Sequence, residues 1–396
     1  MPLHGRRKRW QLQSGALHVF NRKGAFVLEY TFVAPCYFGV ESAAAFDFKR
    51  IGAKDVSVTD GRITFCGDEE ILAAANLESR CAERILILLK STKAVTFDEL
   101  FDAVYDIAWE ELIPPDGAFP VKGSSLSSQL SSVPACQSIV KKAIVERLKK
   151  GHRVQTLPET GAVHQVRVSL RKDTAEIFLD TSGAGLHKRG YRRTSTLAPI
   201  KETLAAAMID LGRIYHDTRA RDPFCGSGTL LIEAALKAAN VAPGLRRRFA
   251  AENYDFIPKK AWENQRARAI EAINREAEFE GIGYDIDPQA VEIANANAKK
   301  AGVARLCRFE TADVRSFSPE PGTLVFTNPP YGERLGDLSQ AAALEKVLGQ
   351  RLTQFPVRGA YIVTADAEFE TNFGKKAKRR RKLYNGMIPC QVYMYF

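Results

Sequence analysis

The feature that most constrains the fold of this chain is a short apolar run that ends at two adjacent prolines. Residues 324–326 read Leu-Val-Phe, which predicts a short buried strand, and the polar stretch TNPPYGER follows at residues 327–334. Because proline lacks the N–H that a sheet ladder needs, the strand has to end there. In open α/β sheets the carboxyl ends of the strands form the edge where ligands bind. This stretch is therefore predicted to contact a ligand.

Four residues of the stretch are candidates for substrate contact. Asn328 offers a carbonyl acceptor, and Tyr331 offers a flat aromatic face. Pro329 and Pro330 fix the backbone, so that its carbonyls can point outward. Together these groups suit a planar molecule that carries an NH2. The structural alternative is a Pro-Pro turn that ends the strand, with Tyr331 as a packing residue.

The net charge of the chain indicates which class of partner it binds. The chain has 396 residues, enough for two or three domains, and Lys plus Arg exceed Asp plus Glu by 57 − 46 = 11. This excess favours a polyanionic partner, with nucleic acid ahead of an anionic membrane surface.

Cysteine usage and hydropathy predict the compartment. The seven cysteines form no C-x-x-C pair and their number is odd, which is typical of free thiols in a reducing compartment and predicts neither a disulfide framework nor a zinc site. No apolar run approaches the roughly 18–20 residues that span a bilayer, and the basic N-terminus lacks the apolar core of a signal peptide. We expect a soluble, cytoplasmic protein without membrane contact.

The N-terminal half predicts a small α+β unit. Residues 1–27 are basic with little apolar periodicity and are predicted to be a disordered extension. Residues 131–150 form an amphipathic helix whose basic face is either solvated or holds phosphates. Gly-Ala-Gly at residues 183–185 marks a domain boundary. Strands are predicted over residues 26–36, 55–58, 62–66, 82–90, 118–122, 164–170 and 174–180, and helices over 42–49, 69–77 and 96–107.

From His187 onward helices and strands alternate, the pattern of a mostly parallel sheet. The first motif is DPFCGSGT at residues 222–229, where Gly226 and Gly228 allow a tight turn and let a ligand approach the backbone in front of a helix. The third glycine of a dinucleotide fingerprint is missing, and the chain has no P-loop motif. A dehydrogenase and a P-loop enzyme are therefore disfavoured.

A second motif, GYDIDP, places acidic residues at the end of the next strand. Asp285 stands where an adenosine ribose is held by its hydroxyls, whereas Asp287 is predicted to cap the helix that follows. Asp313 ends a further strand, predicted over residues 306–310, within reach of the same crevice. Residues 375–382 contain seven basic residues in eight and are interpreted as a loop that is either solvated or contacts phosphates.

The motifs DPFCGSGT, GYDID and TNPPY, in this order, resemble those of class I S-adenosylmethionine-dependent methyltransferases that modify exocyclic amines. With LHKRGYRR at 186–193, APIKETLAAAMI at 198–209 and KLYNGMI at 382–388, the chain resembles bacterial THUMP-domain RNA methyltransferases, similar to the large-subunit rRNA guanine-N2 enzymes. The resemblance implies an α/β chain: a Rossmann-like class I methyltransferase domain over residues 186–396, after an N-terminal ferredoxin-like plus THUMP module over 28–182 that binds RNA.

The resemblance also implies roles for the candidate residues. The Asn328 side-chain carbonyl and the Pro329 backbone carbonyl would accept the two N–H groups of a base amine, while Tyr331 stacks on the flipped base. The donor would be S-adenosylmethionine, with no metal. Its implied contacts are Asp222, Phe224, Gly226, Gly228 and Thr229 at the methionine end, Asp285 at the ribose and Asp313 at the adenine amine, with Lys201 and Glu202 as further candidates beside the methionine.

Alternatives remain open from the sequence. Asn-Pro-Pro-Tyr is shared by methyltransferases of adenine, cytosine and glutamine amines, so the motif does not select guanine. The substrate could be tRNA in place of rRNA. The chain could also be an RNA-binding ribosome assembly factor with little turnover. A DNA adenine methyltransferase is disfavoured, because the N-terminal half resembles an RNA-binding module.

Overall fold

The computed structural model describes residues 10–11, 17–20, 26–192, 200–330, 338–385 and 388–396. Two sheets organise these residues, one in each half of the chain. Within the described ranges, no helix is both long enough and apolar enough to cross a membrane.

The N-terminal sheet has nine strands. Its main path runs β1-β2-β3-β6-β9-β8-β7, and the hairpin β4-β5 joins it through β3. All pairs are antiparallel except β7 with β8. The strands are β1 Trp10–Gln11, β2 Leu17–Phe20, β3 Phe26–Pro35, β4 Lys54–Thr59, β5 Arg62–Gly67, β6 Leu86–Lys93, β7 Val121–Leu126, β8 Val166–Arg171 and β9 Thr174–Asp180; the helices are α1 Glu41–Arg50, α2 Glu69–Glu78, α3 Phe97–Tyr105 and α4 Val133–His152.

Three details of this half differ from the sequence-based prediction. The strand predicted over residues 118–122 is β7, which runs over Val121–Leu126. Within residues 1–27, predicted to be a disordered extension, β1 and β2 form paired strands, and β2 continues the ladder onto β3. For the other residues before Phe26, which lie outside the described ranges, the prediction stays a prediction. Strand β6 begins at Leu86, not at residue 82, and ends at Lys93, because its ladder follows β9.

Local sequence explains the helices that were predicted correctly. The Thr96 hydroxyl accepts the Glu99 N–H at 3.2 Å and the Glu99 carboxylate accepts the Thr96 N–H at 3.1 Å, so α3 begins with the predicted capping box. Helix α4 buries one apolar stripe that includes Val140, Ile144 and Leu148, as its periodicity predicts.

The C-terminal sheet has seven strands in the order β12-β11-β10-β13-β14-β16-β15. The first five are parallel, whereas β16 is antiparallel to both β14 and β15. This is a doubly wound, Rossmann-like sheet whose strand order reverses beside β10. The strands are β10 Arg219–Asp222, β11 Glu280–Asp285, β12 Cys307–Thr311, β13 Leu324–Thr327, β14 Gly359–Thr364, β15 Arg379–Asn385 and β16 Ile388–Tyr395; the helices are α5 Glu202–Leu211, α6 Thr229–Ala238, α7 Lys259–Glu271, α8 Pro288–Ala301, α9 Leu338–Gln354 and α10 Phe369–Phe373.

The basic run at residues 375–382 corrects the prediction of a loop. Its second half belongs to β15, which pairs with β16 from Arg379 to Asn385 at the edge of the sheet. The pairing partner therefore decides the structure of this run, since its own residues carry no strand pattern.

Buried polar contacts join the two halves. The Arg80 guanidinium, 6% exposed as a residue, donates to the Val241 carbonyl at 3.0 Å. The Glu70 carboxylate at the start of α2 accepts hydrogen bonds from Asn264 at 2.8 Å and Gln265 at 2.6 Å on α7. Helix α7, in the segment between α6 and β11, thus packs on α2 of the N-terminal module.

Candidate active site

The sequence motifs meet at one edge of the C-terminal sheet. Asp222, Asp285 and Thr327 end the adjacent parallel strands β10, β11 and β13. In the ladder Asp222 pairs with Gly283, and Arg221 pairs with Val325, so the three ends lie at similar heights. The placement expected for the motifs is confirmed, whereas their chemical roles stay predictions.

Asp222 is the buried carboxylate of this edge, with 1% of the residue exposed. Its Oδ1 accepts the Thr327 hydroxyl at 2.7 Å and the Phe224 N–H at 3.1 Å. Oδ2 has no hydrogen bond to a described residue. Burial raises the pKa of Asp222 from 3.8 to about 7, and the nearby Asp285 charge acts in the same direction. A cation placed here would restore the charged form.

The turn between β10 and α6 requires glycine. Gly228 has φ +80°, and a Cβ at this position would lie 2.7 Å from the Phe309 ring. A Cβ on Gly283 would lie 2.5 Å from the same ring. Gly228 is the N-cap of α6 and Thr229 its first residue, so the free N–H groups of the helix start face the crevice edge of the sheet.

Asp285 holds the turn in place. Its Oδ2 accepts the Gly226 N–H at 2.9 Å, and its Oδ1 accepts the Asp287 N–H at 3.0 Å. Asp287 in turn accepts the Gln289 N–H at 2.9 Å, which confirms its predicted role as the cap of α8. The carboxylate of Asp285 therefore links two of the motifs, and it remains partly accessible.

Asp313 lies beside Asp285 but has its own partners. The Ala312 N–H donates to the Asp285 carbonyl at 3.0 Å, which brings the two strand ends together. The Asp313 carboxylate accepts the Arg315 N–H at 2.7 Å and pairs with the Arg315 guanidinium at 2.6 Å. If Asp313 contacted an adenine amine, it would do so with a carboxylate that already caps a short 3-10 turn, Val314–Ser316.

The acceptor side of the crevice follows β13. Asn328 is half-buried, Pro329 is buried and Pro330 is exposed. The Asn328 amide makes no hydrogen bond with a described residue. Tyr331, predicted to stack on the base, lies outside the described residues.

Two groups of contacts at the site are not predicted by the sequence. The Thr327 hydroxyl donates to Asp222. The one signal for this contact in the sequence is a hydroxyl residue directly before Asn328. Arg192 donates to the Glu202 carboxylate at 3.0 Å and to the Thr229 hydroxyl at 3.3 Å. Burial raises the pKa of Glu202, while Arg192 opposes the shift. Arg192 therefore links Glu202 to the start of α6.

Lys201, the other candidate at the methionine end, has contacts with the N-terminal half. Its Nζ is 3.9 Å from the Glu83 carboxylate and 5.4 Å from the centroid of the Tyr37 ring. Both partners belong to the N-terminal half.

A reversing parallel sheet, a glycine turn before a helix and an acid at the next strand end form a Rossmann-like nucleotide site, and this arrangement fits a class I S-adenosylmethionine-dependent methyltransferase. The chain belongs to the family described as "RMKL-like, methyltransferase domain", whose model matches residues 189–394. Two further models match the N-terminal half: an RlmL ferredoxin-like domain over residues 31–86 and a THUMP domain over residues 94–180. The predicted family and fold class are thereby confirmed. The predicted domain boundaries, 28–182 and 186–396, stay predictions.

Curated relatives include "Putative RNA methyltransferase YpsC" of Bacillus subtilis, 43% identical over 372 residues that cover 93% of this chain and 96% of the relative. "Ribosomal RNA large subunit methyltransferase K/L" of Syntrophotalea carbinolica is 35% identical over 378 residues, which cover 89% of this chain and 52% of the relative. The chain thus spans about half the length of the K/L relatives.

Solved structures are similar over nearly the whole chain. One from Listeria monocytogenes, described as "a predicted N6-adenine-specific DNA methylase", is 42% identical with a TM-score of 0.88 over 93% of this chain and 96% of that one. Another, "SMU.472, a putative methyltransferase complexed with SAH", is 37% identical with a TM-score of 0.87 over 93% of this chain and 98% of that one.

Proposed function

We propose that this protein transfers a methyl group from S-adenosylmethionine to the exocyclic N2 amine of a guanine in RNA, with large-subunit rRNA as the substrate. The observation that carries the proposal is the position of Asn328. Its amide, which makes no hydrogen bond with a described residue, follows Thr327, whose hydroxyl binds the buried Asp222 of the cofactor turn. An acceptor for an amine and a site for a methyl donor are thus adjacent along one strand end.

The residues present fit the cofactor. Asp222 is a buried carboxylate with a raised pKa, and its Oδ2 has no hydrogen bond to a described residue, which suits the ammonium group of the methionine end. The N–H groups at the start of α6 suit its carboxylate. Asp285 keeps accessible oxygen beside the turn for the ribose hydroxyls. The bound cofactor supplies an electrophilic methyl group on a sulfonium.

The chain's own residues would then act on the amine. The lone pair of an exocyclic amine is delocalised into its ring, which makes it a weak nucleophile. Acceptance of both N–H groups by the Asn328 side-chain carbonyl and the Pro329 backbone carbonyl aims the nitrogen and favours localisation of the lone pair. As the new N–C bond forms, the S–C bond breaks, and the excess proton leaves the nitrogen for solvent. Proximity and electrostatics supply the rate, so no strong general base is needed.

RNA as the polymer is supported by the THUMP match, by the names of the YpsC and K/L relatives and by the excess of 11 positive charges. Ribosomal RNA of the large subunit follows from the K/L name alone. Guanine N2 rests on the resemblance of the joint motif set, since Asn-Pro-Pro-Tyr suits any planar base amine.

The test is a comparison of rRNA nucleosides from cells with and without the protein by mass spectrometry, with mapping of the lost modification. We expect one N2-methylguanosine to disappear from large-subunit rRNA and to return when purified protein and S-adenosylmethionine are added to the undermodified RNA. An unchanged nucleoside profile, together with no methyl transfer in vitro, would overturn the proposal.

A second candidate, methylation of an adenine amine, is favoured by the description of the Listeria structure. The same experiment separates the two, because the lost nucleoside would be N6-methyladenosine. Competition between RNA and duplex DNA then identifies the polymer. A third reading, an assembly factor without turnover, predicts that Asn328→Ala leaves RNA binding and ribosome assembly unchanged and that wild type transfers no methyl group.

A further inference from the structure

The first turn of helix α5 has contacts with both halves of the molecule. Lys201 is the residue before the helix, and Glu202 and Thr203 are its first two residues. The Thr203 hydroxyl donates to the carboxylate of Glu83, which belongs to the N-terminal module, and Lys201 Nζ lies 3.9 Å from the same carboxylate. Glu202 binds Arg192, which also contacts α6. The start of α5 therefore connects Glu83 to the cofactor side of the crevice.

Glu83 is itself held in place at the boundary of the two modules. Its N–H donates to the Pro35 carbonyl at the end of β3 at 2.7 Å, and its carbonyl accepts the Leu186 N–H at 2.8 Å. Its carboxylate lies 3.5 Å from His187 Nδ1. Burial raises the pKa of the Glu83 carboxyl, but His187 and the Thr203 hydroxyl outweigh burial and hold the pKa below its usual 4.5. Glu83 is therefore charged at neutral pH.

Arg192 continues the connection from α5 to the glycine turn. Its guanidinium donates to the Ile200 carbonyl at 3.1 Å, to the Glu202 carboxylate at 3.0 Å and to the Thr229 hydroxyl at 3.3 Å. Thr229 is the first residue of α6 and follows Gly228, whose φ of +80° forms the turn. The side chains of Arg192 and Glu202 are 14% and 3% exposed, so solvent competes little for their contact.

We propose that Glu83 is a positioning residue for the cofactor site, although it belongs to the N-terminal module. It holds the first turn of α5, and Glu202 and Arg192 thereby keep their positions at Thr229. The N–H groups at the start of α6 are then aligned for the carboxylate of the methionine end, an assignment that rests on the proposed function. A binding site keeps its geometry only where the residues that support it are held as well. The N-terminal module thus contributes to binding of the methyl donor without touching it.

The first test removes the carboxylate. In Glu83→Ala the first turn of α5 loses its partner, and calorimetry should find the affinity for S-adenosylhomocysteine lowered by about tenfold, as for other residues that influence a ligand without contact. The matched control is Glu176→Ala, which removes a carboxylate that pairs with Arg62 at 2.6 Å within the N-terminal sheet. Wild-type affinity in Glu83→Ala, or an equal loss in the control, would overturn the inference.

The second test changes one hydrogen bond and leaves the carboxylate in place. Thr203 is fully buried, and valine has nearly its shape but cannot donate to Glu83. Thr203→Val should lower the affinity for S-adenosylhomocysteine by roughly fivefold, and Thr203→Ser should restore it because the hydroxyl returns. If valine, folded by urea unfolding, binds like wild type, the proposed role of Glu83 is contradicted even where Glu83→Ala fails to fold.

A double-mutant cycle tests whether Glu83 acts through Arg192. Arg192→Gln removes the guanidinium between Glu202 and Thr229 and should by itself weaken S-adenosylhomocysteine. In this background, Glu83→Ala should cost less than about twofold more, because the connection is already broken. An unchanged tenfold loss would show that Glu83 does not act through Arg192 and would overturn the inference in this form.

Steady-state kinetics separates positioning of the cofactor from general damage. Glu83→Ala should raise KM for S-adenosylmethionine about tenfold and leave kcat within about twofold, because the acceptor side at Asn328 is unchanged. A lower kcat with an unchanged KM would contradict the inference. If wild type binds S-adenosylhomocysteine but methylates no RNA, the proposed function fails while calorimetry still decides the role of Glu83. If wild type methylates RNA and Glu83→Ala keeps its cofactor affinity, the inference alone fails.

Discussion

The two sides of the crevice differ in how their polar groups are held. On the cofactor side, Asp222 and Asp285 already accept hydrogen bonds from Thr327, Phe224, Gly226 and Asp287. On the acceptor side, the Asn328 amide has no partner among the described residues. The carboxylates of the cofactor side are thus held by the chain's own groups, whereas under the proposed function the Asn328 amide binds the substrate. Substitutions on the two sides should therefore separate binding of the cofactor from transfer of the methyl group.

The largest effect is expected for Asn328→Ala. Loss of one positioned acceptor should lower kcat by about 10²–10³-fold, the cost typical of a single hydrogen-bonding group in a transition state. Affinity for S-adenosylhomocysteine should stay within about twofold of wild type, since no cofactor-side hydrogen bond involves Asn328. Asn253→Ala, a change of an exposed asparagine outside the crevice, serves as the control. An equal loss of cofactor affinity and of kcat would contradict the separate roles of the two sides.

Asp285→Ala should show the opposite pattern to Asn328→Ala, with its main effect on cofactor affinity. It removes the acceptor of the Gly226 and Asp287 N–H groups and, under the proposed function, the ribose contact. Hydrogen bonds to a charged group contribute about 1.5–3 kcal/mol, so calorimetry should find cofactor affinity lowered by roughly 100-fold. Asp285→Asn keeps one carbonyl oxygen and should lose less. A normal affinity in the alanine variant would show that the ribose is held by other groups.

Thr327→Val tests the link between the two sides. Valine has nearly the shape of threonine but cannot donate to Asp222, and the buried carboxylate then keeps only the Phe224 N–H. The free energy of unfolding, measured with urea, should fall by about 1–3 kcal/mol at pH 8. Thr327→Ser should recover most of it, because the hydroxyl returns. If serine and valine behave alike, packing and not the hydrogen bond explains the loss.

The smallest effect is expected for the pH dependence of cofactor affinity, which follows from the protonation of Asp222. The pKa of Asp222 is raised to about 7, so the carboxyl is largely protonated below pH 7 without the cofactor. Under the proposed function, a bound ammonium group favours the carboxylate and releases a proton. Affinity should then rise with pH through about 7, by less than tenfold per pH unit. Calorimetry at pH 6.5 in buffers of different ionisation enthalpy should detect the released proton.

Asp222→Asn is the control for this titration, because asparagine carries no titratable proton. The pH dependence of cofactor affinity near pH 7 should disappear, whatever the absolute affinity.

The raised pKa of Asp222 also makes the free energy of unfolding depend on pH. The folded chain binds this proton more tightly than the unfolded chain, so the stabilising contribution is present below about pH 4 and is lost as pH rises toward 7.

The sequence predicted the elements whose signals are local. Glycines, prolines and acids at the strand ends placed the crevice, apolar periodicity placed α4 and the Asp287 cap placed α8, because these patterns depend on backbone chemistry within a few residues. Thr327 and Asp222 are 105 positions apart, and their hydrogen bond depends on the strand order, which no local pattern encodes. Strand β15 was missed for a similar reason, since Leu383 is its one fully buried apolar residue and its ladder is provided by β16.

The position of β15 at the rim of its sheet has a consequence for self-association. A strand with only one neighbour exposes backbone N–H and C=O groups that could recruit the same strand from a second copy. Arg379 and Lys382 on this strand would lie close to the basic residues of the second copy in such a pair, and like charges directly opposite each other are destabilising. The lysines and arginines of β15 thus discourage fibrous aggregation of the protein, independently of any bound nucleic acid.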